Sequence, residues 1–186
     1  MALRSCIAVL LALVVAVPVA ADATLGVGPS LGIVLPSDDV GTTVMFGAHG
    51  VIHNLIASQP NIVFAPFLSY WSSSFDTGGS GDDPSFSEFG VNFDARYMFP
   101  SEGSVDFFAG AGLGLFFSSV DVPEVMTTFG TFGGGSASDT DFGFTFLGGA
   151  TTAVSPTIDV NGQLRFKLDG VDTIQILGGA TYNFTK

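Results

Sequence analysis

Few side chains in this sequence can do chemistry. It holds five Lys and Arg against seventeen Asp and Glu, two histidines and one cysteine. Arg96, Arg165 and Lys167 stand on the polar parity of alternating segments, and Glu88, Asp94, Asp106 and Asp159 share that parity. Charges gathered on one side of a sheet can form a buried ion-pair network that fixes register, or they can line a narrow polar path for ions. If residues 100–104 turn tightly, Arg96 falls nearly opposite Asp106. Gly110, Gly112, Gly114 and Gly149 leave space on that side, whereas Phe108, Phe116 and Leu147 take it back. The network is the favoured reading and the ion path the alternative. His49 and His53 share a strand face with no cysteine beside them. Zinc ordinarily takes three or four ligands, so no metal site is expected.

The elements that must position these residues are strands. Eight segments alternate with a period of two: 25–35, 44–52, 62–70, 88–99, 105–117, 142–154, 158–168 and 173–184. The pair 88–99 and 105–117 is the clearest. There Phe89, Val91, Phe93, Ala95, Tyr97 and Phe99 face Val105, Phe107, Ala109, Ala111, Leu113, Leu115 and Phe117 across Pro100 to Ser104, a hairpin signal. In 62–70 the opposite parity is also partly apolar, which leaves that strand's orientation open. Pro29 sits awkwardly in the first segment, because proline gives the ladder no donor.

Composition narrows the class. The chain has 186 residues, 25 glycines, 19 phenylalanines and a net charge of −12, which suits one domain and excludes an acidic disordered chain. Nucleic acid is excluded as a partner, since phosphate binding needs a basic surface. Residues 1–21 read as a secretory signal: Arg4, an apolar run from Cys6 to Val17, then Val19, Ala20 and Ala21 before a cut after Ala21 or, second, Ala23. A transmembrane anchor is the alternative, but the run is short and lacks a positive flank on its far side. Residues 22–186 are then one β-barrel domain without cysteine, and with Arg4 gone four basic residues against seventeen acidic ones leave −13.

The last segment carries a recognisable pattern. Gly179-Ala180-Thr181-Tyr182-Asn183-Phe184 resembles the carboxy-terminal insertion signal of bacterial outer-membrane β-barrels, with Gly179, Tyr182 and Phe184 at its marked positions, although Thr185 and Lys186 follow the final aromatic. With the alternating segments, the chain is similar to the small outer-membrane barrels grouped with OmpX and the OmpA transmembrane domain. The resemblance implies an all-β, eight-stranded antiparallel up-and-down transmembrane barrel in the outer membrane of a Gram-negative-type cell. It also implies lipid and lipopolysaccharide around the barrel, periplasmic chaperones and barrel-assembly machinery as partners, and a monomer.

The apolar rows could instead fill a secreted, lipocalin-like soluble barrel. Volume favours lipid, because eight strands enclose a lumen barely wide enough for side chains, and the apolar rows hold twelve phenylalanines. No charge falls on an apolar row, as a lipid face requires. An even strand number puts both ends in the periplasm, with outer loops at 36–43, 75–86, 121–140 and 168–172 and inner turns near 54–61, 100–104 and 155–157. Tyr70, Trp71, Phe99, Tyr182 and Phe184 would form interfacial girdles.

The outer loops carry eleven carboxylates, Asp169 and Asp172 among them, and no basic residue. They read as a solubilising rim, with divalent bridging to lipid headgroups left open. Gly78 to Asp83 is similar to a single calcium-binding repeat, but such sites need stacked copies. Loop 121–140, with Val122, Val125, Met126, Phe129 and Phe132, extends its two strands or offers a sticky patch. The role expected by resemblance is structural or adhesive, with an extracellular ligand met through loops 75–86 and 121–140. A narrow pore is the alternative and an enzyme third. Some barrels of this environment modify lipid A with a histidine near the outer rim, yet His49 and His53 fall toward the inner end. No catalytic residue or cofactor is therefore expected.

Overall fold

In the computed structural model, residues 23–37, 41–75, 83–127 and 130–184 are described. The leader expected over residues 1–21 lies outside them, as do Asp38, Asp39, Lys186 and residues 76–82, which hold most of the Gly78–Asp83 stretch. Eight antiparallel strands follow in order: β1 Thr24–Pro36, β2 Thr43–His53, β3 Ile62–Ser74, β4 Ser85–Phe99, β5 Val105–Thr127, β6 Gly130–Ala153, β7 Ile158–Leu168 and β8 Thr173–Asn183. Each pairs with its sequence neighbour and β8 pairs back to β1, closing the sheet into a barrel. Closure leaves the barrel wall no unpaired edge, which is the condition for a sheet to cross hydrocarbon.

Register follows the alternation. In the β4–β5 hairpin Phe99 faces Phe107 and Phe89 faces Phe117, so both apolar rows lie on one surface. Pro29 is accommodated at a break: β1 pairs to β8 at Val27↔Tyr182 and resumes at Ser30↔Gly179, so the missing donor falls where that ladder is interrupted. The orientation left open for 62–70 is settled: Phe64, Pro66, Leu68 and Tyr70 face out, while Val63, Ala65, Phe67, Ser69 and Trp71 are buried within.

The apolar rows are outside. Phe107 is 58% exposed, Phe144 51% and Phe166 44%, whereas Arg165 and Lys167 are at most 1% exposed. A lipocalin-like soluble barrel would invert these figures, and the structure excludes it. The lumen is lined by glycine, polar and charged residues, with Val34, Met45, Phe67, Trp71, Phe86 and Leu177 packed into one apolar plug.

Two expectations are corrected, and a third is decided. Of the two readings of residues 121–140, the extension of the two flanking strands holds: β5 and β6 stay paired from Asp121↔Ser136 out to Thr127↔Gly130, beyond the reach of β4, which ends at Ser85↔Asp121, and of β7, which ends at Phe144↔Leu168. A strand run this long in small and polar residues carries little apolar alternation to announce it. Trp71 is no girdle residue, because its parity points it into the plug at 1% exposure, while Tyr70, Phe99, Tyr182 and Phe184 do face out. Arg96 lies opposite Gly110 rather than Asp106, because Phe99↔Phe107 closes the hairpin around a seven-residue connection.

A charge on the outer surface at mid-strand tests this assignment. Phe146, paired between Ala111 and Phe166, is 51% exposed. Phe146→Arg should destabilise the barrel in lipid vesicles by about 2–4 kcal/mol in urea unfolding. An outer surface in water would tolerate it with little change.

Candidate functional site

The polar parity of β4 and β7 builds the site. Asp94 on β4 and Arg165 on β7 meet across the lumen although β5 and β6 separate their strands. Arg165 donates Nη1 to Asp94 Oδ2 at 2.6 Å and Nη2 to Oδ1 at 3.2 Å, a bidentate fork. Thr145 on β6 donates to Oδ1 at 3.0 Å. Gly112 on β5 makes the room, since a Cβ there would overlap Asp94 Oδ1 and lie 2.8 Å from Thr145 Oγ1. Toward the β5–β6 end, Lys167 Nζ donates to Glu88 Oε1 at 2.6 Å and Oε2 at 2.5 Å, and pairs with Asp169 Oδ2 at 2.8 Å. The Trp71 indole donates to Glu88 Oε1 at 3.0 Å.

Each cation also sits over an aromatic face. Arg165 lies 4.6 Å from the Phe67 centroid, Lys167 4.4 Å from Phe116 and Arg96 5.0 Å from Phe108. Rings reject water yet attract cations, with about 2 kcal/mol of attraction when desolvated. The phenylalanines set against an ion path in the sequence therefore complete the network. The resulting stack of carboxylate, cation and ring fills the lumen at its middle, and the apolar plug fills it beyond.

Of the seven expected lumen charges, Glu88, Asp94, Arg96, Arg165 and Lys167 come together. Asp159 stands apart near the chain termini, where Asn183 Nδ2 donates to it at 2.7 Å. Asp106 is exposed and joins nothing in the network, because β5 has only begun at that height. Asp169, expected on the acidic rim, turns inward with its side chain 1% exposed. It continues the odd parity of Arg165 and Lys167, the signal that could have found it. Thr145, Phe67 and Trp71 were also missed, and all three stand on inward parities. Burial raises the Asp169 carboxyl above the ordinary range; the Lys167 hydrogen bond and charge oppose that shift and Asp141 adds to it.

His49 is a satisfied interior histidine: Ser30 Oγ is 2.8 Å from Nδ1 and Thr181 Oγ1 is 2.7 Å from Nε2. Among the described residues no group of three His, Cys, Asp or Glu is placed to hold a metal ion. Gly179 faces the lumen beside His49, while Tyr182 and Phe184 project outward, their rings edge to face at 5.5 Å.

Two outcomes test the network. Asp94→Ala leaves two buried guanidiniums beside a missing carboxylate and should destabilise the barrel by about 3–5 kcal/mol, while Asp94→Ala with Arg165→Met should recover most of that loss. Equal losses in single and double variants would show that the pair does not act as a unit. For Asp169 the folded chain holds its proton to higher pH than the unfolded chain. Its contribution to stability therefore falls as pH rises through the raised pKa, and Asp169→Asn should flatten that slope in unfolding titrations.

Comparison with known proteins agrees with this architecture. The structure superposes on Neisserial surface protein A with a TM-score of 0.62 at 18% identity, covering 87% of this chain and 97% of that one. A major outer membrane protein of Thermus thermophilus gives 0.61 at 15% identity, covering 87% and 99%. Ail, the attachment invasion locus protein of Yersinia pestis, gives 0.51 at 14% identity, covering 87% and 97%. At these identities the likeness is one of fold. No curated protein matches in sequence. The family model described as outer membrane protein beta-barrel domain matches residues 7–184, and the chain, a closed eight-stranded barrel with its apolar rows outward, belongs to that family.

Proposed function

We propose that this outer-membrane barrel has a structural and surface-interaction role and meets cationic partners through its protruding β5–β6 ribbon. One observation carries the reading: among the described residues every basic side chain, Arg96, Arg165 and Lys167, is buried in the lumen. The ribbon end presents Asp83, Asp121, Glu124, Asp139 and Asp172 exposed, with no cation among them. Asp83, Asp121 and Glu124 line one open cleft of about 610 Å³ between the start of β4 and the ribbon. The ribbon end faces outside and both termini face the periplasm, in keeping with a leader at the amino terminus. Gly179, Tyr182 and Phe184 are the address for the assembly machinery, and the barrel works as a monomer surrounded by lipid and lipopolysaccharide.

Ail has been solved in complex with the heparin analogue sucrose octasulfate. A sulfated ligand needs positive charge, which the described outer end of this chain lacks. Charge complementarity points here to the opposite sign. The narrow-pore reading has weaker support, because Arg165, Lys167 and Trp71 are each at most 1% exposed across the lumen.

The barrel in lipid nanodiscs should bind oligolysine and release it as salt rises, with Asp121→Asn, Glu124→Gln and Asp139→Asn together weakening binding severalfold. Heparin should bind no better than to empty nanodiscs. Preference for heparin, or no binding of either, contradicts the reading. Steady single-channel steps in planar bilayers would favour the pore instead.

A further inference from the structure

Arg96 is the one lumen cation in the described network that lacks a close carboxylate. Its nearest acidic atom, Asp94 Oδ2, lies 3.8 Å from Nη2, beyond hydrogen-bond distance. That carboxylate is already forked by Arg165 and bonded by Thr145. Asp94, Arg96 and Arg165 thus leave one surplus positive charge at a site where Arg96 is 5% exposed. Its Nε and Nη2 have no hydrogen-bond partner in the protein. These two nitrogens form one edge of the guanidinium, the edge that takes an anion as a fork. Phe108 covers a face of the group at 5.0 Å, so a partner has to arrive in the plane.

A cavity lies beside it. The lumen toward the termini opens into a chamber of about 40 Å³ whose walls mix polar side chains, Arg96, His53, Asn161 and Asp159, with apolar ones such as Val63 and Met98. One water needs about 10–15 Å³ on such a measure, so the chamber takes an ion of one to four atoms and excludes metabolites. Asp159 lines the same chamber with Asn183 bonded to it. Burial and this negative charge limit what can enter: attraction to Arg96 rises in proportion to the charge of the anion, whereas the cost of stripping its water rises with the square of that charge, so a monovalent anion is favoured over sulfate or doubly ionised phosphate. We propose that this chamber is a binding site for a small monovalent anion, chloride or a planar oxyanion such as nitrate, held by the Nε and Nη2 edge of Arg96. The site is separate from the acidic outer ribbon and does not depend on what the ribbon binds.

The test is the line width of the chloride NMR signal with the folded barrel in detergent micelles at constant ionic strength. Saturable broadening is expected, displaced by nitrate and left unchanged by sulfate. Arg96→Gln should abolish it and Asp159→Asn should tighten it severalfold. No saturable broadening in the folded wild type means water alone fills the chamber and overturns the proposal. So does broadening that persists in Arg96→Gln, or that sulfate competes away. Should Arg96→Gln fail to fold, Asp159→Asn decides: tighter binding supports the site, and unchanged binding overturns it.

Discussion

Two ion pairs cross the lumen from β7 to β4, Arg165 to Asp94 and Lys167 to Glu88, and the rest of the interior is arranged around them. A barrel in lipid has hydrocarbon outside and very little volume inside. Charges placed inside must find partners there, because neither solvent nor lipid will accept them. β4 and β7 are not neighbours in the sheet, so these contacts add a constraint that the backbone ladder does not supply. They fix the distance between two walls and make a slip of register costly, since a shift of one residue would turn Asp94 or Arg165 outward.

The lumen achieves this by allotting volume unevenly. β5 supplies Gly110, Gly112 and Gly114 where β4 projects Arg96, Asp94 and Asn92, each glycine directly opposite one of those side chains. On the same strand Phe108 and Phe116 supply rings to the cations. One strand therefore provides both the space and the aromatic faces, and its alternation of glycine with large apolar residues serves two surfaces at once. Above the network the plug around Trp71 is apolar; below it the chamber at Arg96 sets polar groups such as Asn161 and Thr181 among Val63 and Met98. The interior thus grades from apolar at the ribbon end to hydrogen-bonding at the termini.

The wall was legible because membrane strands must repeat every two residues over a fixed span, and Phe89 to Phe99 and Val105 to Phe117 do so with little interruption. The members of the network were legible for the same reason: Asp94, Arg96, Arg165 and Lys167 interrupt otherwise apolar segments. Their pairing was not. Parity gives the side of a strand but not its height, so it sets Arg96 against Asp106 where the true turn places Gly110. Nor does parity distinguish an inward tryptophan from an interfacial one at a strand end, which is why Trp71 reads as a girdle residue. The full length of the ribbon was hidden because residues 134–140 are all exposed and have no need to alternate.

Trp71, the sole tryptophan of the chain, is a native reporter for the central claim that the network and plug fill the lumen while the phenylalanine rows meet lipid. The decisive measurement is quenching of its fluorescence in vesicles, by brominated acyl chains from the lipid and by acrylamide from water. Buried at 1% exposure with its indole bonded to Glu88, it should be shielded from both, whereas Phe146→Trp in a Trp71→Phe background should be quenched strongly by the brominated chains. Strong lipid quenching of Trp71, together with a shielded indole in the Phe146→Trp variant, would reverse inside and outside and contradict the account.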